Sequence, residues 1–289
     1  VWGSDRVWFW YNGVCAYVLI GAMFAGEWLV RAHDHSGSDG VSYAYGLRRG
    51  WHVAYPETTG YLIPTLYGLA ARLERPEYSE RATRMARWLL GLQLGCGAYP
   101  GGTVDQAPVP EVFNTGMIVF GLLAAHRHTG DAAFLDAATR AGRWLARVQD
   151  ASGAWSRNSF GGIPHSYHTR VAWALLALDA VAAEPPCREA AVRGLSWAAA
   201  QQADNGWPRL CGFAADALPY THTLAYALRG WLECGLLLGD ERVVDRARQP
   251  AVRLRERFGR RGGLSARSPA SAGIAATAAR SGSRRGRSW

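Results

Sequence analysis

The feature that most constrains this chain is a repeat with a period of roughly 55 residues. Trp28, Trp88, Trp144 and Trp197 recur at spacings of 60, 56 and 53 residues. A second set of anchors, Thr59, Thr115, Thr169 and Thr223, follows at spacings of 56, 54 and 54. Between them lies a third mark: Gln93-x-x-x-Gly97-x-Tyr99, Gln149-x-x-x-Gly153-x-Trp155 and Gln202-x-x-x-Gly206-Trp207. Three marks in one fixed order define a repeat architecture, and that decides fold class before any catalytic motif is read.

Each unit reads as two helices. In the first, Phe134, Ala138, Ala141, Leu145 and Val148 form one apolar stripe, while Asp136, Arg140, Arg143 and Arg147 take the other side. That is the pattern of an outer helix with one wet face. The second helix is apolar nearly all round, as in Met117 to Ala125, Val171 to Leu178 and Leu224 to Leu228. Such a helix is expected to be buried on all sides, so these segments predict an inner layer. Turns after inner helices are short: Thr129 to Asp131, Glu184 to Pro186, Leu238 to Asp240. Loops after outer helices are long, roughly Gly95 to Val112, Ser152 to Ser166 and Asp204 to Tyr220. Long loops gathered at one end would make that end the working face.

This pattern predicts an all-α fold, an α/α toroid of repeated helical hairpins. The Gln-x-x-x-Gly-x-Trp mark resembles the QW-type repeats of squalene and terpenoid cyclases. The alternation of outer and inner helices resembles the six-hairpin glycosidases and the toroidal polysaccharide lyases. The string from Pro56 to Pro64, with Phe113 to Gly116 and Thr221 to Thr223, resembles bacterial toroid proteins of surface-polysaccharide gene clusters. The resemblance covers about residues 20 to 258, with four and a half hairpins where six are usual, so the toroid is expected to be incomplete.

The chain is expected to divide into a toroid domain at 1–258 and a tail at 259–289. The tail holds 7 of the 32 basic residues and no acid, so without it the net charge falls from +9 to +2. All the basic residues are Arg, which reads as a coding bias. The basicity is thus mostly a tail property and supplies no nucleic-acid surface on the folded part. A reading-frame slip or truncation is the favoured account of the tail, with a basic interaction tail as the alternative. Val7 to Gly26 carries no charge and is long enough for a marginal membrane span or signal region. The preferred reading places the first outer helix at its end, with no span and a cytoplasmic protein; the initial Val suggests a fragment. Cysteines 15, 96, 187, 211 and 234 are odd in number and lack a C-x-x-C, so free thiols are expected rather than a disulfide framework or zinc site.

Just before the four Thr anchors stand Thr58, Asn114, His168 and His222. They start the predicted inner helices at the long-loop end, with Glu57, Glu111, Tyr167, Arg170, Tyr220 and Tyr226 around them. Helix N-termini favour an anionic ligand there. Capping is the plainer reading of any one of these polar residues; the four together favour a shared site. A glycosidase needs two carboxyl groups, one protonated, and Glu57 and Glu111 are the pair nearest the predicted mouth. A uronate lyase or epimerase needs a held carboxylate and an acid or base. Asn114 and Arg170 suit the first task and His168 and His222 the second, a residue set that the resemblance to toroidal lyases implies. Trp51, Tyr99, Trp155 and Trp207 lie in or beside long loops, where rings could stack on sugars together with Tyr167, Tyr220 and Tyr226. The competing role for Trp155 and Trp207 is to lock the loop onto its outer helix.

No Asp-x-Asp-Asp acid motif, P-loop or nucleophile elbow occurs. Cys211 with His165, His168 or His222 makes no zinc motif. The expectation is therefore an enzyme acting on an acidic bacterial polysaccharide, without cofactor, metal or nucleic-acid partner. A non-catalytic glycan-binding scaffold and a terpenoid cyclase-like enzyme are the alternatives.

Overall fold

A computed structural model of the protein describes residues 21–261, with side chains through residue 256. Most of the apolar segment from Val7 and most of the tail from Gly259 lie outside the described residues. The described residues divide into two compact units, one through Trp144 and one from Leu145. Among the described residues no helix is long and apolar enough to cross a membrane.

The first unit holds α1 (residues 21–34), a two-stranded antiparallel hairpin of β1 (Tyr45–Gly46) and β2 (Gly50–Trp51), then α2 (Pro56–Leu73), α3 (Pro76–Leu92) and α4 (Val112–Thr129). It also takes in most of α5 (Ala132–Arg147). The second holds α6 (Thr169–Ala182), α7 (Pro185–Ala200), α8 (Thr221–Leu238) and α9 (Glu241–Arg261). The predicted alternation is observed: helices carrying the Thr anchors alternate with helices carrying the Trp anchors. Inner helices pack on the next inner helix, α2 on α4 and α6 on α8, and α2 pairs with the outer helix α3, α6 with α7 and α8 with α9.

Helix type follows the residue pattern. In α4 every residue from Val112 to Val119 is buried, as expected for a helix apolar all round. In α5, Phe134, Ala138, Ala141 and Leu145 are buried while Asp136, Arg140, Arg143 and Arg147 are exposed. α8 departs from the expectation: Leu232, Leu236 and Leu237 are exposed. It packs on α6 and α9 only in part, leaving a groove of about 800 Å³ lined by Ala225, Leu228, Leu232, Val244, Ala247 and Leu254, among others.

The Gln mark is a clamp. Gln93 Nε2 donates to the carbonyls of Gly97 (3.0 Å) and Ala137 (2.8 Å), and its Oε1 accepts from Arg140 Nε (3.0 Å). Gln149 does the same with Gly153 (2.9 Å), Ala190 (2.8 Å) and Arg193 Nε (3.0 Å). Gln202 repeats it with Gly206 (3.1 Å), Ala190's counterpart Arg246 (carbonyl, 2.8 Å) and the Arg246 guanidinium (3.0 Å). One amide thus ties the turn after an outer helix to the next outer helix, using both donors and the acceptor. The glycine in the mark is required twice over. Gly153 sits at φ +89°, and a Cβ there would lie 2.5 Å from the Arg193 carbonyl oxygen.

Inner helices close on each other through glycine. A Cβ on Gly60 of α2 would lie 2.6 Å from Ile118 Cα of α4, and one on Gly121 would overlap the Gly60 carbonyl oxygen. Pro64 explains that carbonyl. α2 begins at Pro56, so Pro64 lies in the helix interior. With no N–H it cannot bond the carbonyl four residues back, that of Gly60, and α4 approaches there. The second unit uses Gly230 of α8 in the same way, where a Cβ would lie 2.6 Å from Arg170 N.

Candidate functional site

The Thr anchors fix the loops that carry the candidate residues. Thr115 Oγ1 donates to the Glu111 carbonyl (2.6 Å) and accepts from Tyr99 N (2.9 Å). Thr59 Oγ1 donates to the Tyr55 carbonyl (2.8 Å) and accepts from Val41 N (2.9 Å). Each hydroxyl therefore pins both the start of its own helix and the incoming loop. The residues at the helix boundaries are Tyr55, Glu111, His168 and Tyr220, and none makes a side-chain cap bond. The polar residues of this region are thus not explained by capping.

In the first unit these positions bring carboxyl groups together. Glu57 is buried in the first turn of α2, and Glu111 is half-buried at the start of α4. Burial, then the charge of Glu57, push the Glu111 carboxyl up to about 7. Two carboxylates sharing one desolvated place cannot both ionise cheaply, so one keeps its proton. Asn114 is buried beside them and donates through Nδ2 to the Pro100 carbonyl (3.2 Å). Tyr55, absent from the sequence-based candidates, completes the cluster. Burial, then the Glu57 charge, raise its phenol pKa far above the usual range, and the Asn114 side chain acts the other way. The alignment on residues just before the Thr anchors passes over Tyr55, which stands four before. Thr58, by contrast, bonds its own helix start at the Tyr55 carbonyl (3.1 Å).

The second unit carries imidazoles and rings instead. His168 is buried, 6.1 Å edge-on from Trp155 and 5.5 Å from His165. Burial chiefly, and His165 next, hold its pKa well below 6.5, so the ring is neutral. His165 stacks on Tyr167 at 4.5 Å, its Nε2 is 2.9 Å from the Phe160 carbonyl, and burial lowers its pKa. A more open group lies at the start of α8. His222, exposed, sits 5.7 Å from Phe213, 5.5 Å from Tyr220 and 5.7 Å from Tyr226. The Arg170 guanidinium lies over Tyr226 (4.8 Å) and Trp173 (5.6 Å). Rings with an open neighbour and a cation suit a sugar carrying a carboxylate.

Four of the rings expected to stack on sugars are buried. Tyr99 is 0 % exposed, Trp155 1 %, Tyr167 4 % and Trp207 6 %, so their faces are covered by protein. Trp155 locks its loop: Nε1 donates to the Leu145 carbonyl (2.9 Å), and the ring fills the space over Gly194 of α7. Trp51 lies in β2, half-buried, 4.8 Å from Trp28 and 5.0 Å from Tyr45. That aromatic cluster belongs to the hairpin, and none of its ring contacts involves Glu57 or Glu111.

Solved structures with this fold are known. The chain matches an unsaturated glucuronyl hydrolase specific for heparin, with TM-score 0.66 and 14% identity, over 82% of this chain and 66% of that one. It also matches an unsaturated glucuronyl hydrolase from Bacillus sp. GL1 that acts in glycosaminoglycan degradation (TM-score 0.52, 17% identity, 63% of this chain and 56% of that one). A third is a GH76 α-mannanase of Bacteroides thetaiotaomicron (TM-score 0.51, 13% identity, 66% and 55%). The chain therefore spans less than two-thirds of the length of these enzymes. What is shared is the fold, the α/α toroid of the six-hairpin glycosidases, over part of its length. No family model matches the sequence, and no curated protein matches it.

Proposed function

We propose that the protein is a carbohydrate-active enzyme of glycoside-hydrolase type, in which Glu111 is the general acid and Glu57 the base or nucleophile. The observation that carries this reading is the carboxyl pair, one member of which keeps its proton to about pH 7. Hydrolysis of a glycosidic bond needs this division: a neutral acid to protonate the leaving oxygen and an ionised carboxylate to act at the other side. Asn114 then holds a substrate hydroxyl or carboxylate. The matched glucuronyl hydrolases motivate an acidic sugar as substrate. A lyase using His168 fits less well, because that imidazole is packed under Trp155.

The test is turnover on a panel of unsaturated glucuronyl disaccharides, intact acidic polysaccharides and α-mannan. Loss of the ultraviolet absorbance of the unsaturated uronate, or new reducing ends without new absorbance, supports hydrolysis. New absorbance would instead mean elimination and would overturn the proposal. Binding without any turnover would leave a glycan-binding protein in its place.

A further inference from the structure

The hairpin between α1 and α2 exposes rings of a kind that the third repeat buries. Trp28 of α1 is 49 % exposed and Tyr45 of β1 46 %, whereas Trp144, the equivalent anchor in α5, is 4 % exposed. We propose that this cluster is a second glycan site. Trp28, Tyr45 and Trp51 form a platform for the sugar rings of an acidic polysaccharide, and Arg48 and Arg49 of the hairpin turn hold its carboxylates. The inference takes from the proposed function only that the ligand is a glycan, and it needs no catalytic step.

The rings are held in fixed positions. Tyr45 and Trp51 are directly paired across the two strands, with ring centroids 5.0 Å apart. Trp28 packs on both, 4.8 Å from Trp51 and 5.7 Å from Tyr45. The three pairs meet at 52°, 68° and 71°, so the rings brace one another without stacking face to face, and about half of Trp28 and of Tyr45 stays in solvent. A two-stranded hairpin is marginal by itself, but this one is fastened at its stem. Ser42 N donates to the Ala32 carbonyl of α1 (3.0 Å), His52 N to the Ala44 carbonyl (3.0 Å) and Tyr55 N to the Val41 carbonyl (2.9 Å). The Ala54 carbonyl accepts from Val104 N (3.2 Å), in the loop that leads to Glu111. The platform thus stands beside the loop of the carboxyl pair, in the same unit. The turn supplies charge. Leu47, Arg48 and Arg49 are exposed, and among the described residues neither guanidinium has a carboxylate partner. Arg75 and Arg81 of α3, by contrast, pair with Glu27 and Asp34. Polar rings edge the patch: His35 lies 6.1 Å from Trp51, and His52 lies 5.0 Å from Tyr43. A contiguous exposed apolar patch rimmed by polar groups marks an interaction site. Apolar faces beside polar edges and unpaired cations match a sugar chain, whose C–H faces lie on rings while its carboxylates meet guanidinium groups.

The test is affinity electrophoresis and calorimetry of the full chain with polygalacturonate and hyaluronan. Dextran serves as the neutral chain and phosphatidylglycerol vesicles as an anionic lipid surface. The native protein should bind an acidic chain and not dextran. Trp28→Ala and Tyr45→Ala should each weaken that binding about tenfold, as loss of a central aromatic contact does. Arg48→Gln with Arg49→Gln changes only exposed turn positions and serves if the ring variants do not fold. It should weaken binding by a similar factor, and added salt should shrink the difference. Arg253→Gln with Arg255→Gln removes the same charge from exposed positions of α9 and should change affinity far less. Binding that the hairpin variants leave unchanged, or that the α9 variant weakens equally, overturns the hairpin site and leaves the glycan reading standing. Vesicles bound in preference to both acidic chains would make the patch a membrane face and overturn the proposal. Turnover of a glycan by a native chain that binds neither polygalacturonate nor hyaluronan overturns the hairpin site alone. Neither binding nor turnover overturns the proposed function with it.

Discussion

Four residues before the Thr anchors the first unit carries Tyr55 and Glu111; the second carries His165 and Pro219. Two before, the series is Glu57 and Phe113, then Tyr167 and Thr221. The repeat holds the backbone nearly constant, yet the first unit gathers carboxyl groups and the second imidazoles and rings. A charge-bearing pair in one and a buried neutral imidazole in the other are opposite electrostatic solutions at the same end of equivalent helices. The repeat thus supplies a frame, and single residues within it set the chemistry.

The largest effect expected from that contrast is on catalysis. Once a substrate is found, Glu111→Gln should lower kcat about 10²- to 10⁴-fold, the range for a lost general acid. His222→Ala, on the open ring cluster of the second unit, should leave kcat within about tenfold. A reversed pattern, with His222 controlling kcat and Glu111 silent, would move the chemistry to the second unit.

Next comes packing, where the units should behave alike. Gly121→Ala puts a methyl group against the Gly60 carbonyl, and Gly230→Ala puts one against the start of α6. Each should cost about 3 kcal/mol, at the upper end for overpacking, because backbone rather than a side-chain tip must yield. Urea midpoints measure this. Gly68 of α2, where a Cβ meets nothing within 4 Å, is the control and should tolerate Ala.

The pH dependence of stability should differ in sign between the units. Glu111 keeps its proton to about 7 when folded, whereas the unfolded chain releases it near 4.5. Between those values the folded state binds more protons, so stability falls as pH rises through that window, by up to about 3 kcal/mol. His168 stays neutral when folded to well below 6.5, the value of the unfolded chain. There the unfolded state binds more protons, so stability falls as pH drops below 6.5. Glu111→Gln should remove the loss on raising the pH, and His168→Gln the loss on lowering it. Urea midpoints that keep the native pH slopes in both variants would mean that neither group is perturbed.

Much of the frame was legible in the sequence. The 3.6-residue stripe of α5 and the all-apolar run of α4 determine burial directly, because side-chain periodicity is what a helix presents to its neighbours. The Gln mark was legible as a mark, but its clamp was not, since Arg140 and Ala137 lie more than 40 residues on. Glu57 and Glu111 could be named as carboxyl candidates, but their mutual influence depends on how α2 and α4 cross at Gly60 and Gly121. Tyr55 escaped because α2 starts at Pro56, earlier than the apolar run suggests. The sequence favours Trp155 as a lock on its loop over a ring that stacks on a sugar, and its burial and its bond to the Leu145 carbonyl agree with the lock.

The smallest effect tests whether the units share a clamp in energy as well as in shape. Gln93→Ala removes two donated bonds and two accepted from the Arg140 guanidinium, and Gln149→Ala two donated bonds and one accepted from Arg193. Each should cost about 1–2 kcal/mol, since water can reach these half-buried groups and replace part of what is lost. Gln→Glu separates the parts of the clamp. It keeps an acceptor for Arg140 or Arg193 and turns a charged oxygen toward two carbonyls that had received N–H groups. If the donors hold the clamp, Gln→Glu destabilises more than Gln→Ala at both sites. If the arginine bond holds it, Gln→Glu is the milder change, and the glutamine amide matters only as a partner for the next outer helix's guanidinium. A different order at Gln93 and Gln149 would show that the two units meet the same geometry with different balances of force.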